Sequence, residues 1–312
     1  MGRRTISLGM KRRHTMAVML LALVAPTACA SPGQDNGGGN PSSVNNGGAG
    51  GSGDLLGTGA NGGDGAIPVV SIPAVIRDFR FYSPIDGTTN PDFEDPPYDI
   101  GQNGQPSVGY QGPWDDHDIV EPTLGADGKP VYKNAGGRTL TTHGQAAFDQ
   151  WYRDVLGVNW HVDYELPLLR AQSGELQYDS EQQGVPYGPT VPDPGNGFFP
   201  IDDQGPHATP FGNQGKAHNY SFTVEIHTVF TYRGGEQFSF RGDDDVFVFI
   251  DGKLLIDLGG VHGPEQQQID VDSLGLTPGQ VYPLDFFSAE RHVTGSNVEF
   301  QTTLDLKPAP TQ

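Results

Sequence analysis

The sequence predicts a mainly β, antiparallel fold with one or more short helices and long loops. The chain of 312 residues contains 45 glycines and 26 prolines, a composition that favours turns over long helices. Aromatic residues make up 10% of the chain, which is enough for a substantial core. Apolar and polar residues alternate along several short runs of the second half, as is typical of half-buried strands. Together these observations indicate a β-sandwich.

The first 28 residues have the layout of a secretory signal peptide. Five basic residues between positions 3 and 13 precede an apolar stretch at residues 17–25, which is too short to span a bilayer. The only cysteine, Cys29, follows the small residue Ala28, and this arrangement resembles the lipobox of bacterial lipoproteins, where the cysteine is acylated. We therefore expect an exported bacterial lipoprotein of the cell envelope, outer membrane or cell surface, in contact with the membrane only through this lipid anchor. Ordinary cleavage near Ala28 or Ala30, without a lipid, is the alternative.

Residues 29–66 are predicted to form a disordered linker. From residue 31 onward the segment consists largely of Gly, Asn and Ser and has almost no large apolar side chain. Such a segment cannot bury enough surface to offset the entropy lost on ordering. We expect one β domain at residues 67–307, followed by a short tail at residues 308–312.

The first predicted elements of this domain are a strand at residues 75–82 and a single amphipathic helix. Four apolar residues recur at the spacing of one helical face: Phe148, Trp151, Tyr152 and Val155. Thr142 and Gln145 have the spacing of a capping box, and Gly157 can end the helix. We interpret the aromatic stripe as plain core packing.

The remaining predicted elements are strands. The inward positions of a strand beginning near residue 219 are Phe222, Val224, Ile226, Thr228, Phe230 and Tyr232. Residues 246–250 are apolar on both faces and predict a central strand. Asp251-Gly252 predicts a type I′ turn, with the chain returning at residues 254–258. Two further strands are predicted at residues 282–289 and 298–306.

Charge and motifs narrow the possible functions. The net charge is −20, and because the leader is basic, the rest of the chain is still more acidic. Such a surface repels phosphate backbones, so we expect no nucleic acid partner. Excess carboxylates suit divalent cations and neutral ligands, although they can also serve only to keep an exported protein soluble. The sequence has no G-x-S-x-G, H-E-x-x-H or Walker motif, and we expect that the protein is not an enzyme.

Residues 242–257 carry the most informative motif, Gly-Asp-Asp-Asp-Val-Phe-Val-Phe-Ile-Asp-Gly-Lys-Leu-Leu-Ile-Asp. It resembles the central hairpin of PA14 domains, where an Asp-Asp pair precedes a strand, an Asp-Gly turn and a returning strand that ends in Asp. From about residue 74 to 307 the chain also resembles the fibro-slime family, which contains a PA14-like core. The matching stretches are residues 76–79, 90–94, 128–132, 198–202, 257–262 and 286–292.

The resemblance implies a PA14-like antiparallel β-sandwich that serves as an adhesion or carbohydrate-binding module, with a glycan or extracellular polysaccharide as partner. Sugar-binding PA14 domains hold one Ca²⁺ ion with the Asp-Asp pair, which carries a cis peptide bond. Here the pair is Asp243 and Asp244, and a later loop offers Asn297 as a further ligand to metal and sugar, with Glu290 behind it. Asp245 replaces the glycine that usually follows the pair, so it either adds a metal ligand or crowds the site.

Two other readings stay open at the level of sequence. Residues 243–245 could form an acidic turn whose side chains bind their own backbone. The protein would then be a structural component of the envelope or extracellular matrix that contacts other proteins. A glycan hydrolase is a distant third.

Overall fold

Strands dominate the computed structural model, which describes residues 68–82, 89–93, 99–100, 106–107, 114–182, 197–292 and 295–310. These residues belong to one unit of the chain, Gly63–Gln312. The predicted signal peptide, Cys29 and the linker lie outside the described residues and stay predictions. In the described part of the chain, no helix combines the length and the apolar character needed to cross a bilayer.

The strands are, in chain order, β1 Val69–Phe79, β2 Asp99–Ile100, β3 Pro106–Ser107, β4 Trp114–Asp115, β5 Asn159–Arg170, β6 Leu176–Asp179, β7 Phe222–Thr231, β8 Gln237–Gly242, β9 Asp245–Ile250, β10 Lys253–Leu258, β11 Gly260–Val261, β12 Glu265–Asp270, β13 Val281–Glu290, β14 Val298–Thr302 and β15 Lys307–Pro308. The helical elements are α1, Gln145–Phe148, and a 3₁₀ turn, Val271–Leu274.

One large antiparallel sheet forms the body of the described residues. Its strand order is β10-β9-β13-β7-β1-β5-β6-β14-β8-β12, and β15 pairs with β7 beyond the end of the β1 ladder. The two edge strands approach each other, because Gln267 Nε2 on β12 donates to the Asp257 carbonyl on β10 at 3.4 Å. The sheet therefore curls into a nearly closed barrel, and the predicted mainly β antiparallel fold is confirmed.

Two hydrophobic clusters cover the two faces of this sheet. The inner core fills the concave face, and its largest members are Tyr164, Tyr178, Phe198, Phe222, Phe230, Tyr232, Phe238, Phe240, Phe286 and Phe300. The outer core packs loops onto the convex face, and it consists of Phe79, Phe93, Ile119, Val120, Tyr132, Phe148, Trp151, Tyr152, Phe247, Phe249, Phe287 and Ala289.

The hairpin β9–β10 follows the predicted pattern. Residues of β9 alternate between the inner core and the outer core, so the whole strand is buried and lies between β10 and β13. Asp251 and Gly252 have φ values of 52° and 70°, as a type I′ turn requires. The inward set predicted for β7 is also confirmed: its residues join the inner core, apart from Thr228, which is buried beside it.

The predicted helix is much shorter than expected. Within the predicted helix, only the segment of α1 is helical, and its N-cap is Gly144, without a side-chain cap. Asn159 explains the early end, because its Nδ2 donates to the carbonyls of Gln150 and Arg153 while its Oδ1 accepts from Val155 N. The interpretation of the aromatic stripe as core packing holds for Phe148, Trp151 and Tyr152, which lie in the outer core.

Two predicted strands have different bounds in the structure. β1 begins earlier and ends earlier than predicted, because it pairs along its whole length with β5, a strand that the sequence analysis missed. The last predicted strand ends at Thr302, where Leu304 N turns back to donate to Thr302 Oγ1 at 3.1 Å. Leu304 and Leu306 still reach the inner core.

Candidate functional site

The predicted acidic pair lies in the connection between β8 and β9. The peptide bond between Asp243 and Asp244 is cis, as the resemblance to PA14 domains implies. Both side chains are buried, at 9% and 5% exposure. The connection is tight at its start, because a Cβ on Gly242 would lie 2.5 Å from the Asn297 carbonyl oxygen. Only glycine therefore lets the pair approach the loop that carries Asn297.

Asn297 is held beside Asp243. Its backbone N donates to Asp243 Oδ1, and its Nδ2 donates to Asp243 Oδ2 at 2.8 Å. In return, Asp243 N donates to the Asn297 carbonyl at 3.3 Å. Burial raises the pKa of Asp243, although the hydrogen bonds from Asn297 oppose this shift. The two residues that sequence reasoning placed together are thus in contact.

Asp244 is held by backbone groups. Its Oδ1 accepts from His262 N at 3.3 Å, and its Oδ2 accepts from Arg291 N at 3.2 Å. Burial raises the pKa of Asp244 to about 8, against the positive charge of Arg291. The neighbouring carboxylates add to the rise.

Glu290 is the third acidic group of the site. It ends β13, is 3% exposed, and its Oε2 has no hydrogen-bond partner. Burial raises the pKa of Glu290 well above its usual range, and the negative charges of Asp244 and Asp243 raise it further. Three buried carboxylates therefore repel one another, and one of their oxygens lacks a donor.

Asp245 points away from this group. Its Oδ2 accepts from Arg291 Nε at 2.6 Å, and its Oδ1 accepts from Arg291 Nη2 at 3.1 Å and from Gly260 N at 2.8 Å. Both partners of the ion pair are fully buried. The register explains the direction, because Asp245 lies opposite Ala289, a member of the outer core. Asp245 faces the outer core and is committed to a buried ion pair with Arg291, so it is not among the proposed metal ligands.

Arg291 is the residue of this region that the sequence analysis overlooked. Its guanidinium lies 4.7 Å from the Trp151 ring centroid, and its Nη1 donates to the Thr141 carbonyl at 2.7 Å. It thereby links the hairpin to the outer core. Three consecutive aspartates need a nearby cation when they are buried. Arg291 lies in residues 286–292, one of the stretches that resemble the fibro-slime family. The need for charge balance could therefore have identified Arg291 as the partner of an aspartate.

The oxygen donors of this site suit a hard cation. They belong to Asp243, Asp244, Glu290 and Asn297. The described residues contain no group of three or more His, Cys, Asp and Glu side chains arranged to hold a metal ion. An ion bound here would therefore need amide, carbonyl or ligand oxygens in addition to the carboxylates. Ca²⁺ accepts such mixed oxygen sets.

One family model matches part of the chain. Residues 212–309, which include β7 to β15, match the model of the PA14 domain. The PA14 part of the expected resemblance is thus supported, and the fibro-slime part stays a prediction.

Among curated proteins, the chain resembles several from Dictyostelium discoideum. Protein psiD is 41% identical over 60% of this chain and 36% of its own length. Protein psiC is 37% identical over 76% of this chain and 41% of its length, and protein psiR is 35% identical over 70% and 20%. The chain spans less than half the length of these relatives. They are not bacterial, and the expected bacterial surface lipoprotein stays a prediction.

Two solved structures overlap with short parts of the chain. The PA14 sugar-binding domain of an RTX adhesin has 15% identity and a TM-score of 0.21, covering 29% of this chain and 48% of that one. The PA14 domain of the MpAFP antifreeze protein has 14% identity and a TM-score of 0.22, covering 30% and 48%. Overlaps of this size support no argument about this chain.

Proposed function

We propose that this protein is a calcium-dependent adhesion or carbohydrate-binding module without enzymatic activity. The observation that carries the proposal is Glu290 Oε2, a buried carboxylate oxygen without a donor beside two further buried carboxylates. Buried charges in proteins are paired or bind metals. Arg291, whose positive charge opposes the rise in the pKa of Asp244, directs its guanidinium at Asp245.

A calcium ion fits the chemistry of this site. Asp243 and Asp244 would supply carboxylate oxygens, Asn297 would supply its amide oxygen after a turn of the side chain, and Glu290 would balance the charge from behind. Asn297 Nδ2 now donates to Asp243, so the ion would replace this hydrogen bond with a shared contact. A sugar could complete the coordination with two hydroxyl groups. The PA14 match of residues 212–309 supports this reading.

The test compares calcium binding of wild type and charge-removing variants by calorimetry and thermal unfolding. Extracellular calcium modules have dissociation constants on the order of 10⁻⁴–10⁻³ M. At a hundredfold excess over that constant, calcium should add roughly 2.7 kcal/mol to the free energy of unfolding. Asp243→Asn and Asp244→Asn should each reduce this gain. Glu290→Gln should reduce it too, while leaving the chelated protein at least as stable as wild type, because it removes a charge that is costly to bury.

The matched control is Asp163→Asn, which removes a carboxylate that is 97% exposed. It should leave the calcium response unchanged. If chelator does not alter the melting of wild type and calorimetry detects no calcium uptake, the site is an acidic turn. Release of reducing sugar from a polysaccharide would contradict the absence of enzymatic activity.

Anchoring at the membrane through Cys29 is part of the same proposal. The only cysteine follows an apolar leader, and a lipid there would hold an exported module on the cell envelope. Cys29→Ser should release the protein from the membrane fraction, and mass spectrometry of wild type should find acyl groups on its N-terminal peptide. A variant that still sediments with membranes, together with an unlipidated wild type, would rule out the anchor.

One observation favours the alternative of a structural protein that contacts other proteins. Leu156 and Trp160, four residues apart before and within β5, are exposed at 103% and 51%. Large exposed apolar side chains can mark a contact surface. Leu156→Ser combined with Trp160→Ser should abolish self-association or matrix binding under this alternative, as measured by sedimentation, and should leave calcium binding unchanged.

A further inference from the structure

Three aromatic side chains form a cluster beside the candidate cation site. We call Phe199, His218 and Tyr220 the aromatic ledge. The His218 ring stacks on the Phe199 ring, with centroids 3.9 Å apart and planes 7° from parallel. The Tyr220 ring meets Phe199 edge-on at 5.1 Å. In this ledge the Phe199 ring is buried, and the rings of His218 and Tyr220 are half-buried.

The ledge adjoins the acidic group on two sides. Tyr220 lies two residues before Phe222, which is paired with Glu290 in the ladder between β7 and β13. Burial raises the pKa of the Tyr220 hydroxyl, and the negative charge of Glu290 raises it further. On the other side, Phe198 N, next to Phe199, donates to the Ser296 carbonyl at 2.6 Å. Ser296 precedes the proposed ligand Asn297.

Hydrogen bonds hold the ledge in place in the absence of a ligand. His218 Nδ1 lies 2.6 Å from Asp202 Oδ2, and Asn219 N donates to the other oxygen of that carboxylate at 2.7 Å. Asn219 Nδ2 in turn donates to Asp78 Oδ1 on β1 at 2.9 Å. Among the described residues, none bonds His218 Nε2 or the Tyr220 hydroxyl. The rings are therefore fixed while part of their surface and two polar atoms stay available to a ligand.

Packing of the core does not account for this arrangement. Phe198, one residue before Phe199, turns inward and meets Tyr164, Tyr178 and Phe222 in the inner core. Phe199 turns to the opposite side and supports His218, whose side chain is 30% exposed. A residue needed only to fill the core would join Phe198.

We propose that His218 and Tyr220, backed by Phe199, contact the apolar face of a pyranose ring whose hydroxyl groups bind the cation at Asp243 and Asp244. A pyranose has both features that the two parts of the site require: neighbouring hydroxyls for a hard cation and a patch of C–H groups for aromatic rings. The ligand class is therefore a glycan with a hexopyranoside at its exposed end. This inference rests on the proposed function, since the ledge orients a sugar that the cation holds.

The test separates sugar binding from calcium binding in the full-length protein. Wild type, His218→Leu and Tyr220→Leu are titrated with calcium alone, and then at saturating calcium with methyl β-D-galactopyranoside and methyl α-D-glucopyranoside. Loss of an aromatic contact should weaken binding of the preferred pyranoside roughly three- to tenfold and leave the calcium constant unchanged. Tyr220→Phe keeps the ring and should bind within about twofold of wild type, which also shows that the position tolerates replacement.

The matched control is Tyr282→Leu. Tyr282 is half-buried near the start of β13, eight residues from Glu290, so this strand places it roughly 26 Å from the site. This variant should leave both the calcium constant and the pyranoside constant unchanged.

The ledge is refuted if wild type binds a pyranoside and both Leu variants of the ledge bind it equally well. If wild type binds calcium but neither pyranoside, the sugar part of the proposed function fails and the ledge fails with it. If it binds no calcium, the cation site itself fails.

Discussion

Arg291 has the most consequential position of any single residue near the site. Its side chain neutralises Asp245 within the outer core, while its backbone N donates to Asp244 on the acidic side. Arg291 thus contributes its side chain to one face of the sheet and its backbone N–H to the other. The motif indicated the acidic pair of Asp243 and Asp244, but it could not show which aspartate contacts Arg291, because Asp245 and Arg291 are 46 positions apart.

We expect Arg291→Met to destabilise the protein by about 3–5 kcal/mol, because it leaves Asp245 buried without a counter-charge. The double variant Arg291→Met, Asp245→Leu should recover most of that loss, since an apolar pair can replace a buried ion pair. Urea unfolding measures both effects. The double variant also decides the role of Asp245, because it should still bind calcium if Asp245 is not a ligand. Loss of calcium binding in a folded double variant would restore Asp245 to the ligand set.

His227 is a second residue with a measurable consequence. Burial lowers its pKa, but its contacts with Asp285 and Glu225, at 2.7 and 2.6 Å, outweigh burial and raise the pKa to about 9. Glu225 also contacts Arg77 and Lys129, so its negative charge is shared among several cations. The protonated imidazole is therefore favoured in the folded state.

The folded-state pKa of His227 lies above its unfolded value of about 6.5. Its contribution to stability is thus complete below about pH 6.5 and is lost as the pH rises through about 9. We expect the free energy of unfolding to fall across this window, and His227→Gln to flatten the fall. The side chain is 38% exposed, so solvent screening reduces the total size of this fall. Equal slopes for wild type and variant in urea titrations between pH 6 and 10 would contradict the assignment.

At the scale of elements, local patterns predicted what depends on neighbours in sequence. The hairpin β9–β10 was predicted because its turn and both of its strands lie within fourteen consecutive residues, 245–258. The extent of β1 depends on β5, about 90 residues away, and no local pattern reveals a partner at that distance. The prediction of a longer helix was wrong for a related reason. The side-chain amide of Asn159 donates to backbone carbonyls that a longer helix would use for its own hydrogen bonds.

The turn of that hairpin allows a test with few confounding contacts. Gly252 has a φ of +70°, and a Cβ added there meets nothing within 4 Å. Gly252→Ala should therefore cost about 1–2 kcal/mol through backbone conformation alone. Gly263 is the control, because its Cβ would also meet nothing within 4 Å and its φ is not in the left-handed region. Equal melting temperatures for the two alanine variants would show that the turn differs from type I′.

At the scale of the whole molecule, the sequence predicted the class of fold but not the closure of the sheet. Alternation within each strand predicts which face is buried, and this part was right for β7 and β9. Strand order is set by contacts between distant segments. The first and last strands of the described chain both pair with β7, although β1 and β15 are more than 225 residues apart. No pattern within either segment could predict that they share a partner.

Glu290 and Arg291 are consecutive residues at the end of β13. Their order limits which insertions the protein can accept during evolution. Successive side chains of a strand face opposite sides of a sheet, so one inserted residue within β13 would exchange the two faces. The guanidinium would then lie under Asp244, and the carboxylate would lie against Trp151 in the outer core. Loops such as residues 171–175 can lengthen without this exchange. Related chains that keep the site should therefore vary in loop length but keep the count of residues from Val281 to Arg291 fixed.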